Sequence, residues 1–397
     1  MVSILQAVDL IVAQSKNFGC QAVSIDDSLN RVLAEDVCVD RDYPPFNRSA
    51  MDGYAVVSSD FNIGQAVKLQ LTEKLLAGGF SKSKVVSGTC IKIMTGAPVP
   101  AGADAVVRLE DTVENNNIVE FVVTTVKVKQ NIALQAEDAK SSDLIISKNS
   151  ILDARAIPVL AVLGKAKVKV FNQPKVAVVS TGNEIVSVES AILPHQIRDS
   201  NSYSIKNFLK KYAINDVTAI HIADDKQRLI TEIEKLLDND ILILSGGVSK
   251  GDADYVPEVL MSLGVKQIFH RVQIKPGAPL WFGVMPNGGV VFGLPGNPVS
   301  VQVAVKVFIE PFIRACFGME TIKPLLLSIF TDKKKKTKLD EYFPCKIVIK
   351  NNVTGIVSNR MNGSGDIAAT LGSDGIALHP SSMDMIHENM ILEFYPW

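Results

Sequence analysis

Residues 245–255 read SGGVSKGDADY and follow the apolar run Ile241-Leu242-Ile243-Leu244. Two glycines after a strand let successive backbone N–H groups point into one concavity, an anion cradle formed by Gly246 and Gly247. Ser249 and Lys250 add a hydroxyl and a mobile charge. Asp252 and Asp254, one residue apart, could share a hard cation such as Mg2+, which joins one or two carboxylates to phosphate oxygens. The same spacing also suits a solvated acidic turn before a helix, where carboxylates favour the N-terminal end of the dipole. Spacing alone leaves both readings open.

Three more polar turns have related chemistry. STGNE, 180–184, offers Ser180, Thr181, Gly182 and the acid Glu184. IKPGAPLW, 274–281, sets Lys275 before a Pro-Gly turn with Arg271 upstream, a basic pair suited to an oxyanion. GLPGNPVS, 293–300, runs through Pro295, Gly296, Asn297 and Pro298 to Ser300 at a helix start, where backbone N–H groups favour anions. Each turn alone reads as an ordinary loop; four on one sheet edge are harder to dismiss. PPFNRSAMDGYAV, 44–56, embeds Asp52, and MTGAPVPAGADAVV, 94–107, carries Thr95. By themselves these two are only structured loops.

Elements must hold these turns in place. Residues 3–34 carry helical spacing, with Ile4, Leu5, Val8, Ile11 and Val12 at intervals of three and four. From about 43 to 130 the texture changes to short β-branched runs with Gly and Pro between them. Asp153 to Gly164 reads as helix. From 175 strands and helices alternate: KVAVVS, SNSYSIKNFLKKYA, VTAIHIAD, then KQRLITEIEKLL capped by Asp225, ILIL, and YVPEVLMSLG closing on Gly264. That alternation predicts a mostly parallel sheet with helices on both faces, and such sheets bind ligands beyond the carboxyl ends of their strands. VSVQVAVKV, 299–307, places Val at every odd position, a strand period. Asn297-Pro298 nonetheless reads as cap plus first helical residue, and helix is the expectation. After 320 short strands return, which predicts a small barrel or sandwich. KKKK, 333–336, reads as a solvated loop tip between two of them.

The whole chain sets bounds. At 397 residues it exceeds one ordinary core, and 47% apolar with 21% charged residues describes a folded protein. A formal net charge of −1 argues against nucleic-acid binding by bulk electrostatics. No apolar run approaches the roughly 20 residues of a membrane helix, and the N-terminus reads as an amphipathic helix instead of a signal peptide. The 5 cysteines are scattered without CxxC pairing, and the 5 histidines are dispersed as packed or surface side chains. A reducing cytoplasm is expected.

SAMDGYAV, IMTGAPVPAGADAVV, VVSTGNEI, RDSNSY, LSGGVSKGDADY, IKPGAP and GLPGNPVS occur in an order that resembles the molybdopterin molybdenumtransferases, MoeA-type proteins related to the gephyrin E domain. The resemblance spans essentially the whole chain. It implies a multidomain α/β plus β fold. Domain I would be a helical or mixed N-terminal domain from residues 1–43 and 131–172, and domain II a β-rich insertion over 44–130. Domain III, 173–319, would be the α/β molybdopterin-binding domain, and domain IV, 320–397, a small β-barrel. It implies Mg2+-dependent insertion of molybdate into adenylylated molybdopterin with release of AMP, in a homodimer whose sites are shared between subunits. Molybdopterin adenylyltransferase and molybdoenzyme apo-proteins would be its partners.

Position by position, the resemblance makes Asp254 the essential metal-binding acid, with Asp252 as its tolerant neighbour. Glu184, Asp138 and Lys275 match further catalytic positions, and Asp52 and Thr95 would act across the dimer interface. Asp224, Arg271, Ser300 and Ser364 match substrate-binding positions, together with Ser180, Thr181, Gly182, Gly246, Gly247, Ser249 and the Pro295–Pro298 turn. Three positions depart from the family pattern: Ala278 replaces a second lysine, Asn183 an aspartate and Ala136 a glycine. Ala278 thins the positive charge around an oxyanion, which predicts reduced molybdate affinity. A tungstate-handling or catalytically weakened, cofactor-binding paralogue is the more radical option. A molybdopterin adenylyltransferase would share the α/β domain, but the flanking domains speak against it. A gephyrin-type scaffold would need a receptor-binding extension that nothing here resembles.

Overall fold

The computed structural model describes residues 1–61, 65–248, 254–335 and 337–397. The chain forms two compact units. The first takes Met1–Glu35, Asn149–Ala161 and Lys165–Trp397; the second takes Asp36–Lys148 and Val162–Gly164.

In the first unit, β1 (Val176–Thr181), α1 (Asn201–Leu209), β2 (Val217–Ile222), α2 (Lys226–Glu234), β3 (Ile241–Ser245) and α3 (Val256–Ser262) alternate as expected. Asp225 caps α2 by accepting from the Arg228 N–H, and Gly264 follows α3 at φ 82°, a left-handed C-terminal stop. β4 (Lys266–His270), β5 (Ile274–Lys275), β6 (Trp281–Val284), β7 (Val290–Leu294) and α4 (Pro298–Ala304) follow. The sheet order is β2-β1-β3-β7-β6-β4, with the first four strands parallel, β6 antiparallel to β7 and β4 antiparallel to β6.

Alternate residues of each strand feed two cores. Val176, Val178, Ile241 and Ile243 pack with α1, α4 and the helix Ile4–Val12, whereas Ala177, Val179, Leu242 and Leu244 pack with α2 and α3. The valines of 299–307 belong to a helix, which continues through a π-helical turn at 305–309 into α5 (Glu310–Cys316). All five of those valines are buried, so a helix apolar on nearly every side hides its 3.6-residue period.

Beyond α5 come β8 (Leu325–Ile329), β9 (Lys333–Lys334), β10 (Asp340–Lys350), β11 (Val353–Ser358), β12 (Gly375–His379), β13 (Met385–Ile386) and β14 (Ile391–Pro396). Strands β10, β11, β8, β14 and β12 pair in sequence, and β12 returns to β10, closing a five-stranded barrel. Closure removes sheet edges and encloses a core containing Phe343, Ile356 and Phe394. β5 joins this barrel, parallel to β10, with Lys275 in register with Glu341. The carboxyl edge of the α/β sheet is thereby connected to the barrel through the strand that carries Lys275.

The second unit is built on a six-stranded sheet, with Ala105–Arg108, Gly53–Val56, Thr89–Ile93, Val67–Leu75, Ile118–Phe121 and Thr112–Asn115 in that order. Among the described residues no helix is long and apolar enough to cross a membrane.

Two expectations need correction. The helical reading of 3–34 holds only for Ile4–Val12, which starts at a Ser3/Gln6 capping box. Gly19, at φ 84°, ends the connection, and Cys20–Ser24 pairs as a strand with Lys167–Phe171. The 333–336 run is no solvated tip, because Lys333–Lys334 pairs with Met385–Ile386 and Lys335 is buried, donating to the Pro380 carbonyl. Lys336 lies outside the described residues.

Candidate functional site

The carboxyl ends of β1, β2, β3 and β7 and one face of the barrel enclose a cleft of about 1310 Å3. The glycine turn after β3 bends as its composition requires. Gly246 and Gly247 have φ of 101° and 66°, and a Cβ on Gly246 would sit 2.6 Å from the Thr181 carbonyl oxygen. Only glycine fits so close an approach with that backbone. Two histidines brace the turns, since His221 Nε2–H donates to the Gly182 carbonyl (2.9 Å) and His270 Nε2–H to that of Val248 (3.1 Å).

Three carboxylates, Glu184, Asp224 and Asp254, line the sheet side of the cleft. Burial, aided by the charges of Glu184 and Asp254, pushes the Asp224 carboxyl above its ordinary range, against the opposing pull of the Asn183 amide. Asn183 and Asp224 are tied reciprocally: the Asn183 N–H donates to Asp224 Oδ2 (3.3 Å), and Asn183 Oδ1 accepts from the Asp224 N–H (3.1 Å). A carboxylate at 183 would add another negative charge beside an acid already raised by its neighbours. Carboxylate oxygens, partly desolvated at Asp224, are hard donors of the kind a hard cation prefers. Among the described residues no three His, Cys, Asp or Glu side chains converge as a complete metal cage.

Buried hydroxyls stand ready for a ligand. Among the described residues Ser180 Oγ and Thr181 Oγ1 have no hydrogen-bond partner, although both residues are almost fully buried and line the cleft. A buried polar atom without a partner costs about 1–3 kcal/mol, which a bound ligand can relieve. Asn201 Oδ1 is in the same condition, while its Nδ2 donates to Ser245 Oγ (2.8 Å) and the Gly296 carbonyl (2.7 Å). The PGNP turn is joined to the barrel's approach by Asn297 Nδ2, which donates to Ser364 Oγ (2.7 Å).

Most of the candidates named from sequence therefore share one cleft: Ser180, Thr181, Gly182, Glu184, Asp224, Gly246, Gly247, Asp254, Lys275, Pro295 to Pro298, Ser300 and Ser364. Arg271 is not among its lining residues; its backbone, at φ 76°, bonds to Leu280 and Val2. Ser249, Lys250 and Asp252 lie outside the described residues. Asp52, Thr95 and Asp138 belong to the second unit. There the Thr95 N–H and hydroxyl both donate to Asp52 Oδ1 (2.7 Å each), which holds that carboxyl below its ordinary range. The Asp138 N–H donates to the Tyr43 carbonyl. Ala136 sits at φ 61°, a left-handed position where glycine would be unstrained.

Sequence reasoning passed over Asn201 and Glu341 and read Lys333 and Lys334 as part of a loop tip, yet all four line the cleft. Asn201 lay within the RDSNSY segment as a plain helix-start residue. The lysines carried no local signal, because their position depends on barrel closure.

A molybdopterin molybdenumtransferase from Synechocystis sp. is 32% identical to this chain, over 100% of both proteins. The chain belongs to the molybdopterin molybdenumtransferase family. Its members are enzymes of molybdenum cofactor biosynthesis. A second such relative, from Staphylococcus epidermidis, is 30% identical and covers 96% of this chain and 91% of its own length. The family model for the MoeA N-terminal region, domains I and II, matches residues 2–164, and that for a probable molybdopterin binding domain matches 177–315. Two crystal structures of a molybdopterin biosynthesis MoeA protein from Pyrococcus horikoshii superpose with TM-scores of 0.82 (25% identity, 100% of both chains) and 0.79 (28% identity, 100% of this chain and 99% of that one). The molybdenumtransferase fold thus includes the α/β domain, the β-rich insertion and the terminal barrel described above.

Proposed function

We propose that the protein catalyses Mg2+-dependent insertion of molybdate into adenylylated molybdopterin, with release of AMP. One observation carries the reading: a single cleft combines sheet-edge carboxylates, a glycine cradle and barrel-side lysines. Both substrates are oxyanions, so binding them together demands positive charge at one place and cation ligands at another.

Asp254, with Asp252 beside it, would hold the Mg2+, and Asp224 and Glu184 would orient its water shell. Bound there, Mg2+ supplies charge to polarise a phosphoryl oxygen. Gly246 and Gly247 let backbone N–H groups approach the substrate's phosphates, and Ser180, Thr181 and Asn201 give their spare hydrogen-bonding capacity to its polar edges. Lys275 and the N–H groups of the turn leading to Ser300 hold molybdate. In the reaction, a molybdate oxygen bonds to the adenylyl phosphorus as the bond to the pterin phosphate oxygen breaks. AMP then leaves with that oxygen when the dithiolene sulfurs take the metal.

We place this chemistry in a homodimer in which Asp52 and Thr95 serve the cleft of the other subunit. Mixing inactive Asp52→Ala and Asp254→Ala proteins would then restore about a quarter of wild-type activity, because half of the dimers would hold one intact site. No recovery after subunit exchange would remove the shared site. The function itself is tested by product. Wild type with adenylylated molybdopterin, Mg2+ and molybdate should activate a molybdoenzyme apo-protein, and failure to do so with an authentic substrate would refute it.

A further inference from the structure

We infer that Lys334 is an oxyanion-binding side chain of the cleft, presented by a strand that Lys333 and Lys335 lock in place. The inference rests on the proposed reading of the cleft and adds a residue to it.

Side chains alternate along a strand, so Lys333 and Lys335 share one face and Lys334 takes the other. The first two are anchored. Lys333 Nζ pairs with Glu341 (3.3 Å) and lies 4.5 Å from the centre of the Phe343 ring, and Lys335 is buried with its ammonium on the Pro380 carbonyl. Pairing of Lys333–Lys334 with Met385–Ile386 fixes the backbone between them. Lys334 is exposed, lines the cleft, and among the described residues makes no ion pair.

The surrounding charge does not balance. Lys275 is in register with Glu341, the same acid that binds Lys333, and these three residues line the cleft together with Lys334. Three ammonium groups thus stand against one carboxylate on the barrel side, while Glu184, Asp224 and Asp254, with Arg198 and Asp199, line the α/β side. The excess suits a tetrahedral oxyanion with two negative charges. A lysine suits it as a mobile point charge that imposes no bidentate geometry. Ala278, on the same cleft wall, supplies no charge, and Lys334 takes up that function from the barrel.

The oxyanion is either free molybdate or the phosphoryl group of the adenylylated substrate, and two assays separate them. In the first, the KM for molybdate is measured from AMP release at saturating adenylylated molybdopterin. In the second, AMP binding is measured by calorimetry. Lys334→Gln should raise one of these constants about tenfold, the loss of a charged hydrogen bond, with kcat within about twofold. A change in the molybdate KM identifies molybdate, and weaker AMP binding identifies the phosphoryl group. Lys334→Arg should preserve affinity, and adding Ala278→Lys to Lys334→Gln should restore part of it. Unchanged values in both assays would overturn the inference, as would a loss that neither Lys334→Arg nor Ala278→Lys repairs. If wild type released no AMP, the proposed function would fail first, and calorimetry with AMP and with molybdate alone would still decide whether Lys334 holds an oxyanion.

Discussion

On the sheet side of the cleft, Glu184, Asp224 and Asp254 follow the ends of parallel strands β1, β2 and β3. On the barrel side, Lys275, Lys333 and Lys334 sit on strands β5 and β9. The acids gather where a doubly wound sheet always opens, so their place follows from local strand–turn patterns. The lysines gather because β5 leaves the α/β sheet to pair with β10 and because β9 pairs with residues fifty positions away. Their electrostatics differ as well. Like charge and burial raise Asp224, a cost the free protein bears, whereas Lys333 is already compensated by Glu341. The sheet wall carries an excess of carboxylates, and the barrel wall an excess of ammonium groups that leaves Lys334 as its spare charge.

The largest expected effect comes from the sheet wall. Asp254→Asn should lower AMP release by about a hundredfold or more while leaving the melting temperature near wild type, because it would remove the proposed metal ligand without removing packing. Next comes Lys275→Ala, expected to lower kcat/KM by about ten- to a hundredfold through lost oxyanion stabilisation. Equal, small effects from both substitutions would break the contrast between the walls.

Much of this arrangement was legible in the residues. The glycine pair, the STGNE acid and the PGNP turn each announced a sheet-edge turn, and each lies there. The strand period of 299–307 was rightly set aside for the cap at Asn297-Pro298, since total burial erased the helical pattern. The lysine run was misread because a row of ammonium groups normally seeks water. Here the Lys333 head finds Glu341 over the Phe343 ring and the Lys335 head finds the Pro380 carbonyl. Arg271, read as half of a basic pair, has a left-handed backbone held by Leu280 and Val2 and is not among the residues that line the cleft. In both cases the deciding contact is distant in sequence.

Smaller effects sharpen the comparison. Asp224→Asn should raise the melting temperature of the metal-free protein by about 1–3 °C at pH 7 while slowing turnover about tenfold. The sign follows from linkage. A carboxyl raised in the folded state contributes most below its unfolded pKa, near 3.9, and that contribution is lost as pH rises through the folded value. The variant's melting temperature should therefore vary less than wild type's across that window. Smallest is Ala136→Gly in the second unit. Relief of a left-handed alanine should outweigh the added chain entropy and stabilise by up to about 1 kcal/mol in denaturant unfolding, with turnover unchanged.

The central claim, that the two walls act together on two oxyanions, is tested most directly by AMP release from adenylylated molybdopterin with molybdate and Mg2+ varied independently. Wild type should release AMP only when both are present, and Asp254→Asn should respond to neither. Release at the wild-type rate from Asp254→Asn, or from wild type without molybdate, would contradict the account.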